Sequence, residues 1–533
     1  MEKAVEKGRA GGVPLGQSLI DAGIVDSNQL AQALAERNGL DYVDLNSFEV
    51  DQGAANLIDA AKARRYQTIP ISFLGEQTVL VATADPANVL ALDDIAMATG
   101  YEIRRAVASP EDIDGVIDQL SRLGDAVEEL DEEEDAAEVI ELRDQADEAP
   151  VVKLVHSVIA DAVRRGASDI HFEPRASDMR VRYRIDGVVV DTTTVPRQLV
   201  AGLVSRVKIM ANLDIAEKRM PQDGRIGLSV DGRHIDLRVA TLPVVRGESA
   251  VMRILDKDKV VMDLDVLGMK PHDRERLEDA LASTNGAILV TGPTGSGKTT
   301  TLYAGLNTVN TPDKTIITVE DPVEYELTGV KQVQVNPKSG LTFAAGLRSM
   351  VRADPDIIMV GEVRDRETAQ IAIESALTGH LVLTTLHTND APLAAARLIE
   401  MGIEPYLVAS GVVCVVAQRL VRRLCECKTE IKLSKELLTE QGFDCDEGFT
   451  GYEKVGCVRC NHTGYKGRFG IYEVLQVSEG MRALILESGG ADELRNLARR
   501  EGMRTLREDG LKKIQNGDTS VAEVLRVAGN SAR

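Results

Sequence analysis

Gly292-Pro293-Thr294-Gly295-Ser296-Gly297-Lys298-Thr299 has the spacing G-x-x-x-x-G-K-[ST] of a loop that wraps phosphates. Backbone N–H groups made available by the glycines converge on a β-phosphate. Lys298 adds a point charge toward the β- and γ-phosphates, and the Thr299 hydroxyl can reach a Mg²⁺ ion. The flanks have the order such a loop requires. Ala287-Ile288-Leu289-Val290 is an apolar run fit for a buried parallel strand. Thr300 through Val309 has helical spacing and no proline, so a helix N-terminus lends its partial positive charge to the cradle. An accidental glycine-rich turn would lack that context, and the chemistry indicated is that of a nucleotide.

Two acidic clusters follow strands. Thr315-Ile316-Ile317-Thr318-Val319 is β-branched and delivers Glu320-Asp321-Pro322-Val323-Glu324; Ile357-Ile358-Met359-Val360 delivers Gly361-Glu362 and then Val363-Arg364-Asp365. Ligands of a parallel sheet sit beyond the carboxyl ends of its strands, so these acids are expected to face the nucleotide. One cluster can orient or deprotonate water; the other suits a Mg²⁺ ligand, direct or through water. His380 and His387 flank the strand Leu381 to Thr385, near whose ends they could sense a γ-phosphate. No partner at ligand spacing makes them a metal site.

The cysteines form a second constellation. Cys425-Glu426-Cys427 and Cys457-Val458-Arg459-Cys460 supply two thiolate pairs, and four thiolates close a tetrahedral zinc site. The first pair is C-x-C, a tight knuckle. Cys445 is a spare thiol that could substitute, and Cys414 is expected in the core of an apolar helix.

A chain of 533 residues is too long for one core. A small α+β body is expected to residue 122, with Leu15, Leu19, Ile20, Ile24, Leu30 and Leu34 at helical spacings. Residues 123–150 hold thirteen Asp or Glu against one Arg and read as a solvated acidic linker. Residues 151–256 show a helix and then alternating strands with hairpin turns at Asp186-Gly187 and Asp231-Gly232, a mixed sheet domain. Residues 257–424 alternate strand and helix, the pattern of a parallel sheet covered on both faces. A cysteine element at 425–475 and a helical part at 476–533 complete the division.

The net charge of -22 and an aromatic content of 3% without tryptophan argue against a nucleic-acid translocase, which would show a basic stripe with stacking rings. The first residues lack the apolar core of a secretory signal, and the run Tyr406 to Ala417 is too short to cross a bilayer. A cytoplasmic location is expected, with peripheral membrane association.

The blocks GPTGSGKTT, ITVEDPVEY, RADPDIIMVGEVRD and ALTGHLVLTTLHTNDA, in this order, resemble the ATPases of bacterial type II secretion and type IV pilus assembly. The segments Ala167 to Pro174, Met220 to Arg225 and Arg238 to Pro243 look like the domain that precedes the motor in that family. The resemblance implies an α/β fold: a RecA-like P-loop motor domain with a parallel sheet, a mixed α+β (PAS-like) domain before it, and a small α+β amino-terminal domain. It implies that residues 292–300, Gly292 through Thr300, hold ATP and Mg²⁺ with Glu320 and Asp321 of the acidic box. Glu324 would activate water, Glu362 would be the Walker B acid, and His380 and His387 would be the histidine pair. Arg238 and Arg253, with Arg225 as a weaker third, would come from the preceding domain to the γ-phosphate; guanidinium forks suit phosphate oxygens.

Zinc on Cys425, Cys427, Cys457 and Cys460 also agrees with the assembly members of the family, although they usually carry C-x-x-C first. The partners implied are other copies in a homo-hexamer, a polytopic inner-membrane platform protein and a docking partner in the membrane complex, with no nucleic acid. The amino-terminal segment Leu15 to Gly23 resembles the family's docking domain. Pro14 and Arg37 stand where cyclic di-GMP-binding relatives carry Arg and Gln, so docking is expected in place of dinucleotide sensing. A nucleotide-gated adaptor with little turnover is the rival reading, and the acids at 324 and 362 speak against it.

Overall fold

The computed structural model describes residues 19–529 except 21–22, 49, 75–76, 126, 130–148, 257–262 and 488. The chain divides into two units, Met1–Asp258 and Lys259–Arg533.

The first unit holds two sheets. Four strands, in the order Asp41–Tyr42, Glu102–Val107, Thr78–Thr83 and Thr68–Phe73, form the small α+β body. Ile69, Ile71, Ala82, Ile95 and Ile113 fill its core. Its last helix, Pro110–Asp125, runs past the boundary expected at 122. Val127–Glu129 then pairs antiparallel with Gln222–Val230. This is a correction to the linker's near end: an open sheet edge presents unpaired N–H and C=O groups, and a short strand satisfies them. The far end is also ordered, because the helix Ala149–Arg164 takes Pro150 into its first turn and buries Leu154, Val155 and Val158. The rest of the acidic stretch, and most of the Leu15 to Gly23 motif, lie outside the described residues.

The second sheet of this unit has seven strands in the order Val127–Glu129, Gln222–Val230, Arg233–Val244, Gly247–Asp256, Ala167–Pro174, Asp178–Ile185 and Val188–Pro196. Every pairing is antiparallel. Both foreseen hairpins form, with Asp186, Gly187, Asp231 and Gly232 all at positive φ, the twist that suits two-residue turns between right-twisted strands. Alternation sorts the faces. Ile170, Phe172, Val181, Tyr183, Leu228, Ile235 and Leu237 pack with the helices Ala149–Arg164 and Arg197–Met210. The opposite parity carries charged residues, among them Asp169, Arg184, Arg225, Arg238 and Arg253.

The second unit is built on a sheet ordered Val330–Gln334, Ile316–Glu320, Ile357–Val360, Leu381–Leu386, Gly286–Thr291, Val412–Leu424 and Tyr465–Gln476. The first six strands are parallel and the last is antiparallel. Odd and even positions feed two separate cores: Leu289, Val319, Ile358 and Val382 on one face, Ile288, Val290, Ile357 and Leu383 on the other. Near-continuous apolar strands are the signature of a sheet covered twice.

Cys414 is buried, as expected, but in the strand Val412–Leu424 instead of a helix; an apolar run of this length fits both periodicities, and β-branched Val412, Val413, Val415 and Val416 decide for the strand. The cysteine element is an excursion between two neighbouring strands, so Tyr465–Gln476 belongs to the motor sheet. No described helix is long and apolar enough to cross a membrane.

Candidate active site

The phosphate loop leaves the strand Gly286–Thr291 and enters the helix Lys298–Val309, the order read from the sequence. Gly292, Gly295 and Gly297 all have φ between 75° and 147°, which side chains rarely tolerate. A Cβ on Gly292 would meet the Gln418 carbonyl oxygen and the Ser296 hydroxyl, each at 2.6 Å. Lys298 Nζ donates to the carbonyls of Gly292 (2.9 Å) and Pro293 (3.1 Å), folding its charge back over the loop. Burial lowers the Lys298 pKa; Glu362 opposes the shift and Arg419 adds to it. The loop therefore holds a partly desolvated cation that an anion would stabilise. Pro293, Thr294, Gly295 and Thr299 line its exposed side.

Glu362 follows the strand Ile357–Val360 at the same carboxyl edge. Its Oε1 pairs with Arg364, and its Oε2 lies 3.5 Å from His387 Nε2. Arg364 also approaches Asp321 at 3.8 Å. Lys298, Glu362, His387 and Asp321 are thus brought to one edge of the sheet. Glu324 is half-buried in the next loop, its Oε2 shielded from solvent.

Two of the expected residues stand apart from this edge. Glu320 is buried, its carboxylate accepting from Tyr303, from Thr318 at 2.6 Å and from Gln332 at 3.1 Å. As the last residue of an interior strand it points into the layer where polar partners already wait. His380 sits at the amino end of Leu381–Leu386, where its Nδ1 lies 2.9 Å from the Ser375 carbonyl and must donate to it. His387 is at the other end, so the pair spans a strand of roughly 20 Å and only His387 shares the edge with Glu362.

Arg238 and Arg253 lie in the first unit as direct cross-strand partners, and Arg225 opposes Arg238 on the other side. Arg253 Nε pairs with Asp169 at 3.2 Å, and Asp169 also faces Arg184 at 3.5 Å. Like charges directly opposite repel, and Asp169 in the same row offsets part of that cost for Arg253 and Arg184.

Sequence reasoning missed Gln418 and Arg419. Gln418 is buried, and its Nε2 donates to the Ser296 carbonyl at 2.6 Å. Arg419, also buried, donates to the carbonyls of Gln418 (3.0 Å) and Asn389 (2.9 Å). Burial lowers its pKa against the opposing charges of Glu473 and Asp390. The signal was there: two long polar side chains in the middle of an apolar run must find buried partners.

The four cysteines converge. Cys425, Cys427, Cys457 and Cys460 place their sulfurs within 4.8 Å of one another. The distances are 3.8 Å for Cys425 to Cys457, 3.9 Å for Cys427 to Cys460 and 3.8 Å for Cys457 to Cys460. Tetrahedral zinc at ~2.3 Å from each sulfur demands a separation of ~3.8 Å, so the set fits zinc despite the C-x-C knuckle. Burial would raise the Cys460 thiol, but the backbone N–H groups of Cys457 and Gly464 donate to its sulfur and lower it, in the direction of the thiolate a metal requires. Cys445 is outside the set, packed against an apolar cluster.

Comparison with known proteins agrees with this geometry. Residues 144–526 match the family described as Type II/IV secretion system protein, and residues 38–127 match the MshEN domain. The chain is 42% identical to the type IV pilus assembly ATPase PilB of Myxococcus xanthus over 100% of its own length and 96% of that protein's. It is 43% identical to the type II secretion system protein E of Pseudomonas aeruginosa, with 94% and 96% covered. The fold is shared with the ATPase DotB of Legionella pneumophila, at 22% identity and a TM-score of 0.52 over 70% of this chain and 95% of that one. With its phosphate loop, strand-end acids and motor sheet in place, the chain belongs to the family of type II/IV secretion system proteins, as one of its ATPases.

Proposed function

We propose that this chain is a ring-forming ATPase, a homo-hexamer at the cytoplasmic face of the inner membrane. It would power assembly of a type IV pilus or a type II secretion pseudopilus through a polytopic platform protein. The observation that carries the reading is the convergence of Lys298, Glu362, His387 and Asp321 on one edge of a parallel sheet.

ATP would draw Lys298 off the Gly292 and Pro293 carbonyls and onto the β/γ-phosphates. Thr299 and Glu362 would hold Mg²⁺, directly or through water, and the ion would supply positive charge to offset what develops on the phosphate oxygens. Glu324 would orient the attacking water and take its proton. Arg238 and Arg253, with Arg225 beside them, would supply cations to the γ-phosphate. Zinc on the four cysteines would clasp the excursion between the last two strands.

Purified wild-type protein should release phosphate from ATP in a Mg²⁺-dependent way, without stimulation by DNA. A strain lacking the chain should lose surface pili or secretion and regain it from a plasmid copy. ATP turnover no faster than that of a Lys298 variant would overturn the motor and leave the gated adaptor.

A further inference from the structure

Gln418 and Arg419 are adjacent in the strand Val412–Leu424, next to the strand that carries the phosphate loop. Val416, Ala417 and Val421 around them are apolar and buried, so both polar side chains sit there at a desolvation cost that their hydrogen bonds offset. Gln418 Nε2 holds the Ser296 carbonyl from behind at 2.6 Å, while its own Oε1 is buried and accepts nothing among the described residues. The amide is thus oriented by a single acceptor. A trans peptide points its C=O and N–H in opposite directions. Fixing the Ser296 carbonyl toward Gln418 therefore aims the Gly297 N–H away from the sheet and into the cradle.

Arg419 braces the other side. Its guanidinium joins the Gln418 carbonyl to that of Asn389, two residues beyond His387. It lies close enough to the loop that a Cβ on Gly292 would sit 3.3 Å from Nη1.

We infer that Gln418 and Arg419 are positioning residues for ATP hydrolysis: they set the phosphate loop in its ligand-ready shape before nucleotide arrives. Neither needs to touch ATP. A backbone N–H aimed at the β-phosphate contributes alike to the ground state and the transition state, so losing its brace weakens binding and spares turnover. This rests on the ATP-binding reading above.

The test uses the full-length, zinc-loaded protein and its Gln418→Met and Arg419→Lys variants. Binding of a fluorescent non-hydrolysable ATP analogue, kcat and KM for ATP, and thermal melts are measured. Gln418→Met keeps the shape and removes the donor. Its Kd and KM should rise about 10-fold with kcat within about 3-fold of wild type. Arg419→Lys keeps the charge but loses the planar fork, and Kd should rise roughly 3- to 10-fold.

Wild-type affinity in a folded Gln418→Met protein overturns the inference, as does a kcat collapse at unchanged affinity. Should that variant fail to fold, Arg419→Lys decides, and unchanged affinity there overturns it. If wild type itself binds no analogue, the ATP-binding reading fails instead.

Discussion

The two seven-stranded sheets present their chemistry in different places. In the second unit both faces are apolar, and Lys298, Glu362 and His387 lie past the carboxyl ends of the strands. In the first unit one face is apolar and the other carries Arg225, Arg238, Arg253, Asp169 and Arg184 in a single row. A sheet covered twice can offer only its edge. A sheet covered once can offer a whole face, with charges set by register at the close spacing of neighbouring strands. The first arrangement suits a fixed reaction centre, the second a ladder of cations that meets an anion broadside.

The contrast breaks most severely at the edge. Lys298→Ala should reduce phosphate release to background, and appreciable turnover in that variant would remove the edge as the centre. Glu324→Gln should keep nucleotide binding and slow turnover on the order of 10²- to 10⁴-fold; a normal rate would mean another base. On the face, Arg238→Gln should lower kcat by roughly 10²- to 10³-fold if it stabilises transition-state charge, with little change in KM. Combining it with Glu324→Gln sharpens the comparison. Groups acting as one catalytic unit are non-additive, so the double variant should be little slower than Glu324→Gln alone, whereas independent contributions would multiply.

Metal removal comes next. Purified protein should contain about one zinc per chain, and Cys457→Ser should lose it and melt earlier, while metal-free protein with an unchanged melt would exclude a structural role.

The smallest expected effect concerns protons. Burial pushes Glu473 up to about 7, with Asp390 adding to the shift and the Ala391 N–H opposing it. A folded pKa above the unfolded value means that the native state binds the extra proton, so this contribution is complete below pH ~4.5 and is lost as pH rises to about 7. Glu473→Gln should flatten that slope and raise the melting temperature at pH 8 by roughly 2 to 4 °C for each kcal/mol recovered. Glu523 behaves oppositely. Burial alone would raise it, but Arg526 and Arg422 hold it at about 2, so its stabilisation persists to low pH.

Much of this was legible in advance because it is written in short-range patterns. The glycine spacing of 292–297, the β-branched strands before Glu320 and Glu362, and the Asp-Gly hairpin turns each specify backbone conformation locally. The cysteine set was legible because thiolate pairs carry their own geometry. What could not be read depends on neighbours far apart in sequence. Glu320 looks like Asp321 until Tyr303 and Gln332 are known to fill its carboxylate. His380 looks like His387 until the direction of the strand separates them. Gln418 and Arg419 meet Ser296 and Asn389 only because Val412–Leu424 pairs beside Gly286–Thr291.

That long strand pairs beside the strand that carries the phosphate loop and ends at Leu424, next to Cys425 of the cysteine set. Zinc held by the four sulfurs, whose spacing fits it, would clasp the outer end of this strand. With zinc as that clasp, cells starved of the metal would have less folded motor even when ATP is plentiful, and a trace element would limit how much of it can be built.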